Sequence, residues 1–526
     1  MTRQSRFLLA LVPIVLASGA QPALAQAVST TVRTQAGALE GRIVDEILSF
    51  KGIAFAAPPV GPLRWRPPQP VAPWRGVRDA SRLANDCMQR STSVFAKGTV
   101  SPSEDCLYLN IFRPAAETAA PLPVMVYIHG GGFTQGGSSP VVYQGDGLAK
   151  QGVLVVTLNY RLGRFGFFAH PALAAEQPGD LKGNYAFMDQ IAALRWVKDN
   201  IAAFGGDPDN VTIFGQSAGG MSVNVMLVSP LAKGLFHKAI LQSSPSRLLT
   251  SRKIDEDSTE TPSLANVGRA FAAAKGIVDG DPHAAAKLRA LPADAMLDLT
   301  EGLLQSAGAR ANWGGPAVDG ALMPPADGDY SRSVELAKVP VIVGSNSDDA
   351  IAPTATPADP FERFGARRAE ARKAFDPENS GNKELAYRRI AVDSLISEPA
   401  RALARAMSRS GAPAFRYRFS YIPEGLQNRW VHGAPHGGEL AYVFDRLVSY
   451  YGPATSERDL SVAKMLSAYW VNFAKRGDPN GSGLPVWPRN DRTDEILSMR
   501  EDGSARAEAD PWRARLDALS DASDGR

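Results

Sequence analysis

Val211-Thr212-Ile213-Phe214-Gly215-Gln216-Ser217-Ala218-Gly219-Gly220-Met221 holds a serine in the pattern Gly-x-Ser-x-Gly between two unlike runs. The residues before it are β-branched and aromatic, as in a buried strand, and Met221 to Leu227 reads as a helix packed behind that strand. Ser217 therefore stands on a strand-to-helix turn, its hydroxyl presented above the sheet edge at the helix N-terminus. Gly215 and Gly219 leave room for the turn and for close approach of strand and helix. A hydroxyl placed in this way is built to be a nucleophile.

From Pro123 onward, apolar strand-like runs alternate with helical ones, at 124–128, 153–158, 211–214, 239–241, 339–343 and 415–421. Continuous apolar strands separated by helices predict an α/β fold, a central and mostly parallel sheet with helices on both faces. Met188, Ile191, Leu194, Val197, Ile201 and Phe204 recur at helical spacing, and Gly205-Gly206-Asp207-Pro208 stops that helix. Long segments near 245–335 and 357–412, with helical patterning at 270–275, 284–291 and 362–373, are expected to be cap insertions over the site. Before the sheet, Val32 to Gly52 alternates like a hairpin. The proline-rich chain to Pro70 cannot form regular interior elements, so Trp65 and Trp74 are expected to hold it by packing.

The 526 residues, 44% apolar and 21% charged, describe a soluble globular protein. Residues 1–25 read as a signal peptide: Arg3 and Arg6 precede an apolar stretch, and Ala23-Leu24-Ala25 resembles a cleavage site. Residues 26–526 are then expected to form one domain, exported to the periplasm or beyond. Without Arg3 and Arg6 the balance is 55 basic against 54 acidic residues, which gives no sign of nucleic-acid or membrane partners. Cys87 and Cys106, the only cysteines, are read as one disulfide. Oligomeric state is not legible.

A serine nucleophile needs a base, and the base needs an acid that fixes its tautomer; in this kind of sheet they follow in the order serine, acid, histidine. Of six histidines, His237 and His283 follow the serine too soon, which leaves His432 and His436. His436 is favoured by its turn, Ala434-Pro435-His436-Gly437-Gly438. A metal pair of His432 and His436 is disfavoured by Pro435 between them, and no metal is expected. The acid is expected beyond the strand Val339–Val343, where spacing alone leaves Asp348 and Asp349 open. His129-Gly130-Gly131-Gly132-Phe133 follows another strand, where a glycine loop supplies backbone N–H groups to an oxyanion. Gly131 and Gly132, with Ala218, are the candidate donors. No Gly-Lys-Ser/Thr follows, which counts against a phosphate loop. Phe133, Phe165 and Trp313 could line a pocket.

With these motifs in place, the chain resembles the type-B carboxylesterase family, the group of the cholinesterases and bacterial para-nitrobenzyl esterases. The resemblance runs through Ser103-Glu104-Asp105-Cys106-Leu107-Tyr108-Leu109-Asn110, His-Gly-Gly-Gly-Phe, Asn159-Tyr160-Arg161, Gly183-Asn184, Asp189-Gln190, Phe214–Gly220 and Trp487-Pro488. It implies an α/β-hydrolase fold, no cofactor, and hydrolysis of a small-molecule ester through an acyl-serine. It also implies Asp349 as the acid, His436 as the base, a Cys87–Cys106 disulfide, and Ser243 as a buried serine beside the triad. Two departures matter. The family's usual acid is glutamate, and Gln216 stands where the family usually has glutamate. With no tryptophan between Cys87 and Cys106, these argue against a cationic choline ester. Action on amides, thioesters or carbamates, or a noncatalytic binding role, are the alternatives.

Overall fold

A computed structural model of the chain describes residues 29–90, 97–245, 252–259, 261–297, 314–325, 334–350, 358–490 and 494–523. The segment read as a signal peptide, Trp313, and parts of both expected cap insertions lie outside the described residues.

The frame is an 11-stranded sheet. In chain order its strands are β1 (Arg42–Val44), β2 (Ile47–Ala54), β3 (Tyr108–Pro114), β4 (Leu122–Ile128), β5 (Leu154–Leu158), β6 (Gly206–Gln216), β7 (Lys238–Gln242), β8 (Val341–Asn346), β9 (Ala414–Phe419), β10 (Glu495–Met499) and β11 (Ala505–Ala509). Their order across the sheet is β11-β10-β9-β8-β7-β6-β4-β5-β3-β2-β1. Every neighbouring pair from β5 to β10 is parallel. The flanking pairs are antiparallel.

Period-two alternation divides the core between the two faces. Val124, Val126, Ile128, Val211 and Ile213 join one cluster, which also takes residues from α1 (Tyr185–Asn200), α2 (Ala218–Val228) and α3 (Glu398–Arg409). Met125, Tyr127, Phe214, Ile240 and Ile342 join the other, with α4 (Glu457–Arg476). Both faces being covered is why the central strands read as unbroken apolar runs. α4 starts at a capping box between Ser456 and Asp459 and ends at the left-handed Gly477. The helix at Glu398–Arg409, inside a segment expected to cap the site, packs on β8 and β9 instead.

The proline-rich segment is held as its composition requires. Trp65 is buried, stacks on Phe168 and donates its indole N–H to the Arg164 carbonyl at 2.7 Å. Trp74 donates to the Ala38 carbonyl at 3.1 Å. Cys87 and Cys106 form a disulfide. Among the described residues no helix is long and apolar enough to cross a membrane.

Candidate active site

The carboxyl ends of adjacent parallel strands bring the chemistry together. β6 ends at Gln216 and α2 begins at Ala218, so Ser217 alone makes the turn, with φ 58° and ψ −122°. A non-glycine residue in that region is strained by about 1–3 kcal/mol. The strain is held by two backbone bonds of 2.9 Å, Ser217 N–H to the Gln242 carbonyl and Met221 N–H to the Ser217 carbonyl. The glycines on either side are needed for contact. A Cβ on Gly219 would lie 2.0 Å from the Ile128 carbonyl oxygen, and one on Gly215 2.5 Å from the backbone of Gly219.

The glycine loop after β4 lies directly against this turn. A Cβ on Gly130 would sit 2.7 Å from the Gln216 carbonyl oxygen and 3.1 Å from the Ser217 Cβ. Gly131, Gly132 and Phe133 have φ of 109°, 62° and 60°. His129 supports the loop from below: its ring stacks on Tyr160, and Nδ1 lies 2.8 Å from the Gly130 carbonyl. Burial pushes the His129 imidazole down to about 4, so it is neutral and Nδ1–H is the donor. Ala218 opens α2, so its N–H has no carbonyl of its own helix to bond.

The two aspartates that spacing left open separate cleanly. Asp349, fully buried, accepts from His436 Nδ1 at 2.9 Å, from the Ser243 hydroxyl at 2.9 Å and from the Asn346 backbone N–H at 2.6 Å. Asp348 is instead gripped by Arg388 through two bonds of 2.7 and 2.6 Å. His432 is exposed, while His436 is half-buried. The contact shown for His436 Nε2 is the side-chain nitrogen of Gln216 at 3.1 Å, next in the chain to Ser217. Phe133 is fully buried among Tyr160, Phe167 and Phe187. Phe165 borders a small cavity beside the disulfide.

Three contributors escaped the sequence reading. Asn346 bridges the acid loop to the histidine loop, its side-chain amide donating to the Pro435 carbonyl at 2.7 Å and to Glu439 at 2.6 Å. Glu439 also accepts from Gln242 at 2.9 Å, and its carboxyl is pushed up by burial and by the Asp349 charge. Gln89, two residues past Cys87, takes the Gly136 N–H at 2.7 Å and gives an N–H to the Gly136 carbonyl at 2.6 Å. Glu439, an acid opening an apolar run just after His436, was the one available signal. Among the described residues no group of histidine, cysteine or acidic side chains could hold a metal ion.

Comparison with known proteins gives the family. The model of the carboxylesterase family matches residues 28–375 and 368–511. The Fumonisin B1 esterase of Sphingopyxis macrogoltabida is 36% identical over 482 residues, 89% of this chain and 85% of that protein. Carboxylesterase 1C of Rattus norvegicus is 35% identical over 503 residues, 88% of this chain and 86% of that protein. A solved PNB esterase superposes with a TM-score of 0.74 at 31% identity, covering 93% of this chain and 99% of its own. A strand-to-helix serine turn, a glycine loop against it and an α/β-hydrolase sheet thus meet a family match across nearly the whole described chain: the protein belongs to the carboxylesterase family and is a carboxylic ester hydrolase.

Proposed function

We propose that this esterase works through a Ser217–His436–Asp349 triad, with the backbone N–H groups of Gly131, Gly132 and Ala218 as the oxyanion hole. The observation that carries the reading is the 2.9 Å pairing of His436 Nδ1 with buried Asp349 at the strained Ser217 turn. With Nδ1–H committed to Asp349, Nε2 is left as the acceptor. His436 takes the proton of the Ser217 hydroxyl as Oγ attacks the ester carbonyl, and the three N–H groups receive the resulting oxyanion. The tetrahedral adduct collapses, the C–O bond to the alcohol breaks, and His436 returns the proton to the departing alkoxide. Water then attacks the acyl-serine with the same histidine as base. Ser243 and Asn346 hold the Asp349 carboxylate in position.

The uncharged Gln216 favours neutral over cationic esters, since no carboxylate at that position awaits an ammonium group. The disulfide supports an exported protein, and the 11-stranded sheet, whose strands run from Arg42 to Ala509 among the described residues, supports one domain over residues 26–526.

Hydrolysis of short and medium para-nitrophenyl esters tests the reading, with Ser217→Ala, His436→Ala, Asp349→Asn and Asp348→Asn in parallel. The first three are expected to lower kcat by about 10⁴-fold or more, as in other triads, and Asp348→Asn to retain most of it. A fluorophosphonate should modify Ser217, identified by peptide mass. Activity surviving Ser217→Ala would refute the assignment.

A further inference from the structure

Gln216 makes a contact that none of these steps uses. It is 2% exposed at the end of β6, and its amide nitrogen lies 3.1 Å from His436 Nε2, the atom that must receive the serine proton. Asp349 fixes the proton of a neutral imidazole on Nδ1, which leaves Nε2 a bare lone pair. A partner of that lone pair has to donate. The amide therefore presents N–H to the histidine and turns Oε1 toward Gly130, where a Cβ would meet it at 2.9 Å. A carboxylate in the same place has no proton to give and could bond Nε2 only after the imidazole is charged. Exchanging nitrogen for oxygen at this one atom reverses which form of the ring that atom can bond.

We propose that Gln216 is a positioning residue that occupies His436 Nε2 in the free enzyme, holds the ring with its proton on Nδ1, and yields Nε2 to the Ser217 hydroxyl when an ester enters. The inference rests on the triad reading above. When the serine proton has passed to Nε2, the same side chain can rotate and meet the new N–H with Oε1, because an amide both donates and accepts. No proton is gained or lost by Gln216 in either arrangement. Among the described residues, the titratable and charged groups around His436 are Asp349 on Nδ1, Glu439 behind it, held by Gln242 and Asn346, and the Asp348–Arg388 pair on the neighbouring loop. All of them stay the same when residue 216 is changed.

The test is kcat/KM against pH for a neutral para-nitrophenyl ester, with wild type, Gln216→Glu and Gln216→Met compared through the acid limb. The glutamate is expected to move that limb upward by about one pH unit, as an added anion beside a titrating base does. The methionine, which loses only the donor, should fall between the two. Unchanged melting curves would show that the fold is otherwise intact. Superimposable profiles for three folded proteins, or a glutamate limb displaced to lower pH, would overturn the proposal while leaving the triad standing. His436→Ala in each background separates the two readings: activity that survives it refutes the triad, and the role of Gln216 with it.

Discussion

The acid position shows how much one methylene can decide. Asp349 reaches His436 because two other donors, the Ser243 hydroxyl and the Asn346 backbone N–H, fix its carboxylate at a loop drawn close to the histidine turn by the Asn346 side chain. Asp349→Glu, although it restores the family's usual residue, should therefore lower kcat by at least about tenfold, since the longer side chain must leave those donors or displace the imidazole. Ser243→Ala removes one donor from a buried carboxylate and should lower kcat, by roughly tenfold, with KM little changed. His129 gives a pH signature separate from catalysis. Its imidazole is held near 4 when folded, against about 6.5 in the unfolded chain, so the unfolded state binds the extra proton between those values. Stability is lost as pH falls through that window. Asp86, pushed up to about 6 by burial, acts in the opposite sense, its protonated form being favoured when folded. His129→Asn should leave the Asp86 effect alone, so the Tm gap between variant and wild type narrows on acidification. Thermal melts at pH 7 and pH 4.5 would read it.

At the level of elements, the glycine loop is the part least tolerant of change. A Cβ on Gly131 would lie 2.1 Å from the Gln135 carbonyl oxygen at φ 109°. Gly131→Ala should therefore misplace the N–H proposed as an oxyanion donor and reduce kcat by about 10²–10³-fold, with less effect on KM. The elements that sequence alone made readable are those governed by local rules. The strand before Ser217, the helix after it, and α1 with the 3₁₀ turn that carries it to Gly205 all announce themselves through periodicity and punctuation. α4 did not stand out, although Ser456, Asp459 and Gly477 mark both its ends, because no chemistry drew attention to that region. Asp348 and Asp349 could not be told apart by spacing, since what separates them is Arg388, 40 residues away in sequence. Gln89 and Asn346 act through backbone groups of distant loops, and no residue pattern records such a contact.

Over the whole molecule, the two ends of the sheet are fastened by different means. Beyond the apolar clusters, the end of the sheet nearest β10 and β11 is fastened by charge. Asp510 accepts from Arg416 and from Arg418 at 2.7 Å, Asp494 bonds Arg416 and Arg405 at 2.9 Å, and Arg401 reaches Asp517 at 2.8 Å. Burial opposes the charge on Asp510, but Arg418 and Arg416 outweigh it and hold the carboxyl well below its usual range. Its contribution is present above the ordinary aspartate range and is lost only in strong acid. Asp510→Asn leaves the buried Arg418 guanidinium without its carboxylate, while Arg416 keeps Asp494, and should cost about 3–5 kcal/mol, measured by denaturant unfolding. At the other end, the 19-residue span closed by Cys87 and Cys106 is stitched to the glycine loop through Gln89 and Gly136. Opening that bridge frees the anchor of the loop while leaving the sheet intact. Material produced in a reducing cytoplasm should accordingly be soluble but poorly active per milligram, and should regain turnover on oxidative treatment without being unfolded first.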